Sequence, residues 1–103
     1  MSYRTVDGLL TVNASGIQVT SGAASAVVAI PNDASGTRAR YVYVASTGTA
    51  YIRPGVAGTT CTVNDMMLVA GEPLVLNVQG FTSIAYIQET AAAKINITPV
   101  EAG

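Results

Sequence analysis

Met66-Met67-Leu68-Val69-Ala70-Gly71-Glu72-Pro73-Leu74-Val75-Leu76-Asn77-Val78-Gln79-Gly80, continued by Phe81-Thr82-Ser83-Ile84-Ala85-Tyr86-Ile87-Gln88-Glu89, decides the fold. Runs of Val, Ile and Leu flank an Ala-Gly-Glu-Pro turn, and a further run follows Gln79-Gly80, which is the punctuation of consecutive antiparallel strands. In the middle run Leu74, Leu76 and Val78 face one way and Val75, Asn77 and Gln79 the other, the period of two that a half-buried strand requires.

Downstream, Ser83 to Glu89 and Lys94 to Thr98 are expected to form a hairpin across Thr90-Ala91-Ala92-Ala93. That register sets Glu89 opposite Lys94, a weak cross-strand ion pair, and puts Ile84, Tyr86, Ile95 and Ile97 in the core, Tyr86 against Ile97. The alanine run is too short to nucleate a helix alone. Pro99 ends the pairing, and Glu101 to Gly103 is a tail.

Upstream, Arg38 to Ser46 is the clearest single strand, and Thr49 to Arg53 reads as its hairpin partner across Ser46-Thr47-Gly48. With Gly48 in the left-handed conformation of a type I turn plus bulge, Val44 lies beside Ala50 and Val42 beside Ile52. The opposite face of that hairpin then gathers Tyr41, Tyr43, Tyr51 and Arg53. Pro54 to Asp65 is a Gly/Thr-rich loop, with room for a short strand at Thr59 to Val63, and a loop that long is expected to pass from one sheet to the other. Nearer the N-terminus, Leu9 to Asn13, Gly16 to Thr20 and Ser25 to Ile30 are short strands, the last closed by the Pro31 to Gly36 cluster. Residues 1–8 read as an extended arm or weak first strand.

With no amphipathic helix and no long internal repeat, the expectation is all-β: a two-sheet antiparallel β-sandwich or jelly roll of about eight short strands. Residues 1–8 would be an N-terminal arm and 9–103 a single domain, a size that folds without metals or disulfides.

Charge is sparse. Arg4, Arg38, Arg40, Arg53 and Lys94 stand against Asp7, Asp33, Asp65, Glu72, Glu89 and Glu101, so 11% of residues are charged, where an ordinary soluble domain has about 25%. Much of the surface is therefore neutral or apolar, either a Ser/Thr/Asn-covered monomer or, the favoured reading, a subunit that hides area against neighbours. A net charge of -1 and the lack of a basic cluster remove the counterion-release drive for nucleic acid. No apolar run approaches the length of a membrane span, and the first seven residues lack the regions of a secretory signal. Asn13-Ala14-Ser15 and Asn96-Ile97-Thr98 match the glycosylation pattern and, without such a signal, read as chance.

Chemistry is equally sparse. The chain has no histidine, which removes the commonest general base and metal ligand. Cys61 is the only cysteine; Thr60 and Thr62 give it no electropositive setting, so a buried apolar role is expected. The acids form no carboxylate pair and no calcium loop, and Asn32-Asp33 is the one place where a cation could be touched. Gly55-Val56-Ala57-Gly58 lacks the Lys and helix of a phosphate cradle. The reading is of a protein that is no enzyme, with no cofactor, metal or small-molecule substrate. The Tyr41, Tyr43, Tyr51, Arg53 face has three readings: cover beneath a loop, a protein contact surface, whose hot spots favour Tyr and Arg, or a platform for sugar rings. Together with Tyr3 and Arg4 of the arm, these residues are the candidate protein interface.

Tyr41-Val42-Tyr43-Val44-Ala45, Ala50-Tyr51-Ile52-Arg53-Pro54-Gly55, Asp65 to Val78 and the ending Ile95-Asn96-Ile97-Thr98-Pro99-Val100-Glu101 share a style of low charge and Ala/Thr/Gly-rich strands. In this the chain, from about Tyr41 to Glu101, resembles small all-β virion proteins of tailed bacteriophages that decorate or cement a capsid. The resemblance implies a structural subunit of the virion, made in the host cytoplasm and bound to the major capsid protein, and a homo-oligomer with a trimer favoured. It implies no catalytic residues. The alternative is a head fibre, tail or carbohydrate- or receptor-binding β-sandwich module.

Overall fold

The computed structural model describes residues 2–5, 8–12 and 14–102, with 2–5, 8–11 and 102 described through their backbone. Ten strands follow one another: β1 (Ser2–Thr5), β2 (Gly8–Thr11), β3 (Ile17–Thr20), β4 (Ala26–Ala29), β5 (Tyr41–Ser46), β6 (Ala50–Gly55), β7 (Met66–Leu68), β8 (Leu74–Asn77), β9 (Ser83–Gln88) and β10 (Lys94–Ala102). The first sheet holds β3, β10, β5 and β8 side by side, extended by the β1–β2 hairpin on the end of β10; the second holds β4, β9, β6 and β7. Every pairing is antiparallel.

From β3 onward the chain changes sheet at every connection but one, β6 to β7. Two four-stranded sheets wound in this alternating order are a jelly roll. The all-β, two-sheet expectation therefore holds, with eight strands forming the roll and β1 and β2 added to it.

The same topology overturns both expected hairpins. β5 pairs with β10 and β8 while β6 pairs with β9 and β7, so Val44 lies beside Ile97 and Leu74, not Ala50. β9 and β10 also sit in different sheets, so Glu89 does not face Lys94. A three-residue hairpin with a bulge needs a left-handed residue, and Gly48 does not take that conformation. Thr47 to Thr49 instead arches over the edge of the sandwich, where sheets stand about 10 Å apart against under 5 Å between paired strands. Conversely, the long loop expected to change sheets over Pro54 to Asp65 does not: β6 runs on through Pro54 and Gly55, and residues 56–65 join it to β7, with which it pairs directly. No strand forms at Thr59 to Val63.

The core is built by the alternation read from the sequence. Val42 and Val44 of β5 and Ile95 and Ile97 of β10 face Ile52 of β6, Leu68 of β7 and Ile84 and Tyr86 of β9, with Ile17, Val19, Leu74 and Leu76 packed around them. Tyr86 and Ile97 are thus both core residues, on facing sheets rather than on paired strands. The crossings at one end are tied together: Ser21 N–H donates to the Ala93 carbonyl at 2.8 Å, Thr47 N–H to the Lys94 carbonyl at 3.0 Å and Gly71 N–H to the Ser46 carbonyl at 3.1 Å. Gly71 and Gly80, at φ +76° and +86°, occupy the third position of the turns that close on Glu72 and Phe81, where a type II turn requires a positive φ.

β2 and β3 lie end to end along one edge of β10, against Glu101–Ala102 and Lys94–Ile97 respectively. Pro99, which has no N–H to offer, falls in the interval between them and pairs only with Val42 of β5. Pairing with β5 thus continues through Pro99 to Val100, past the point where the sequence suggested it would stop.

Candidate functional site

The two outer faces of the sandwich differ. Over the second sheet the 56–65 loop folds back from Gly55, where a β-carbon would meet the Thr59 side chain. It reaches Ser25 at the start of β4, whose hydroxyl oxygen accepts the Cys61 N–H at 2.8 Å. Asp65 then locks it: Oδ2 accepts the Thr62 N–H at 2.7 Å, and Oδ1 lies 3.7 Å from Arg53 Nη1. Beneath this strap Tyr51, Cys61 and Ala85 form a second small core, with Ile87 packed against it.

Cys61 is 2% exposed. Burial, and next the Asp65 carboxylate, push its thiol up to about 11, so it is held as the neutral, unreactive form. That matches its expected apolar role.

The outer face of the first sheet has no such strap from the 56–65 loop. Its described side chains are Lys94, Asn96 and Thr98 of β10, Tyr41, Tyr43 and Ala45 of β5, Val75 and Asn77 of β8, and Gln18 and Thr20 of β3, with Val100 of β10 buried at one end. Tyr43 sits in register between Thr98 and Val75, and Tyr41 between Val100 and Asn77. Lys94 is the one charged residue among these described side chains, while Arg38, Arg40, Asp33 and Glu101 gather beyond Tyr41 at one end. Val75 is 43% exposed, and both tyrosines are half-buried.

The expected grouping of Tyr41, Tyr43, Tyr51 and Arg53 is therefore split. Tyr41 and Tyr43 share the open face; Tyr51 and Arg53 belong to the opposite face of the sandwich, Tyr51 under the loop and Arg53 exposed at its margin. The cause is the arch at Thr47 to Thr49, which carries β6 into the other sheet. The side chains of Tyr3 and Arg4 lie outside the described residues; their backbone is strand β1, paired with β2.

Reasoning along the chain missed Val75 and Thr98 as neighbours of Tyr43. A signal was present, since Val75 is an apolar residue on the face opposite Leu74 and Leu76. On the side of the sandwich where β7 and β8 form the two sheet edges, Met66, Met67 and Val69 are also exposed. Met67, in register with Tyr51, belongs to the outer face of the second sheet.

Among the described residues no group of His, Cys, Asp and Glu is placed to hold a metal ion. Asp33 is occupied locally: its Oδ1 accepts the Ser35 hydroxyl at 2.6 Å and N–H at 2.9 Å, and the Thr37 N–H at 3.2 Å. Among the described residues no helix is long and apolar enough to cross a membrane. Comparison with protein-family models, curated proteins and solved structures returns no match to the chain.

Proposed function

We propose that this chain is a non-enzymatic structural subunit of a bacteriophage virion, a capsid decoration or cement protein that stabilises the shell by burying surface against the major capsid protein and copies of itself. The observation that carries the reading is the asymmetry of the two outer faces. One is partly covered by the chain's own loop, over Tyr51, Cys61 and Ala85, with Val27, Val56, Val63 and Met67 still exposed on that side; the other presents Tyr41, Tyr43 and Val75 among strand residues of which Lys94 is the charged one, with Arg38, Arg40, Asp33 and Glu101 gathered beyond Tyr41 at one end. Aromatic residues are enriched and charges depleted where protein contacts are dehydrated. The jelly roll supports the reading, since viral capsid domains use it, although lectin domains use it too.

The test is to mix the purified protein with phage shells and separate them on a density gradient. The proposal expects the chain to travel with the shell in numbers on the scale of the shell lattice. A handful of copies per particle would move it to a vertex or tail position, and none would remove the reading.

A further inference from the structure

At the end of the sandwich opposite the Ser21–Ala93 ties, the 31–40 connection and the last residues of β10 border an open-sided cavity of about 480 Å³, lined by Asp33, Ser35, Thr37, Arg38, Arg40, Tyr41, Val100 and Glu101. That volume lies within the range of small-ligand sites, about 300–1,000 Å³. The wall is built rather than incidental. Asn32 and Arg38 pair as a β-bridge, Asp33 N–H donates to the Thr37 carbonyl at 2.8 Å, and Ala39 N–H donates to the Pro31 carbonyl at 3.1 Å.

The lining mixes four chemistries. Arg38 and Arg40 supply guanidinium forks, which only donate; both are exposed, and neither forms an ion pair among the described residues. Asp33 and Glu101 supply carboxylates, which only accept; Asp33 Oδ1 is already taken by Ser35 and Thr37, so Oδ2 is the oxygen it offers, and Glu101 already has a partner of its own. Thr37 supplies a hydroxyl, the one on Ser35 being spent on Asp33, and Tyr41 and the buried Val100 supply apolar surface. Among the described lining residues two cations stand against two anions, a balance that disfavours a multivalent anion such as phosphate. A ligand that matches must donate and accept side by side while offering an apolar face to a ring. Adjacent hydroxyls of a sugar ring do the first, and its C–H face does the second.

We propose that this cavity is a binding site for a neutral saccharide, its hydroxyls held by Arg38, Arg40 and Asp33 and its ring seated on Tyr41. The proposal goes beyond the structural-subunit reading and is tested without any shell present, so the two stand or fall separately.

The experiment is an NMR amide-shift titration of the full chain with neutral mono- and disaccharides of glucose, galactose, mannose and their N-acetylamino forms, with inorganic phosphate as a parallel arm. The expected result is a saturable change centred on the amides of Ser35 to Tyr41 with at least one saccharide. Arg38→Ala and Arg40→Ala should each weaken it by about tenfold, equivalent to about 1.4 kcal/mol. Both side chains are exposed, so the variants should melt with the parent, and a melt recorded beside each titration checks this. The proposal is overturned if no saccharide moves those amides, if phosphate alone does, or if the Arg38→Ala, Arg40→Ala double variant still binds with parental affinity.

Discussion

Gly16 is the residue on which the first sheet closes. It stands in the interval between β2 and β3, pressed against β10, and a β-carbon there would run into the Ile97 carbonyl oxygen and come within 2.8 Å of Thr98 Cα. Both obstacles are largely backbone of the central strand, which cannot move aside without disturbing its pairing with β5. Gly16→Ala should therefore cost about 1–3 kcal/mol, read as a lower denaturant midpoint. An unchanged midpoint would mean that β10 is not seated as described. Cys61 gives a second prediction at this scale. Its folded thiol holds the proton to about pH 11, against an ordinary value of 9.0, so the native state binds that proton more tightly than the unfolded chain does. The stability this represents is whole below the lower value and is lost as pH climbs from one to the other. We expect a fall of about 1–2 kcal/mol across that interval, reduced in Cys61→Ala, with unfolding followed at several pH values in both proteins. The native thiol should also resist alkylation at neutral pH.

At the scale of elements, the 56–65 loop is held as a strap by Asp65. Removing that carboxylate in Asp65→Ala abolishes its bonds to Thr62 and its pairing with Arg53. The expected cost is about 1–2 kcal/mol, with Cys61 alkylated faster and the amides of β6 and β9 around Tyr51 and Ala85 exchanging faster. Parental protection of Cys61 in the variant would show that packing, not Asp65, fixes the loop. This element also marks the boundary of what was legible along the chain. Alternation fixes which face of a strand is buried, so Val42, Val44, Ile84, Tyr86, Ile95 and Ile97 were readable as core. It carries no information on which sheet a strand joins, because the inner faces of both sheets demand the same pattern. A turn as short as Thr47 to Thr49 can either fold back in plane or arch across. The candidate site inherited that ambiguity. Tyr41 and Tyr43 kept their shared face because they lie on one strand, whereas their grouping with Tyr51 and Arg53 rested on a pairing partner that only the topology specifies.

At the scale of the whole molecule, the sandwich has one face partly covered by its own 56–65 loop and another without that loop, which carries Tyr41, Tyr43 and Val75. If Tyr43 anchors a contact there, Tyr43→Ala should weaken assembly by about 2 kcal/mol or more, about thirtyfold in affinity, while the melting temperature of the isolated subunit changes little. An equal loss of thermal stability would make Tyr43 a packing residue of the first sheet. Val75→Glu, which places a charge beside Tyr43, should act in the same direction, since a charge buried without a partner opposes association.

Sedimentation velocity of the purified chain and of Tyr43→Asp, over a range of concentrations, tests the central claim most directly. The account predicts that the parent sediments as an assembly larger than the 10.5 kDa chain and that Tyr43→Asp, still folded, disperses it to single chains. A parent protein that remains a lone chain at every concentration, indistinguishable from the variant, would contradict it.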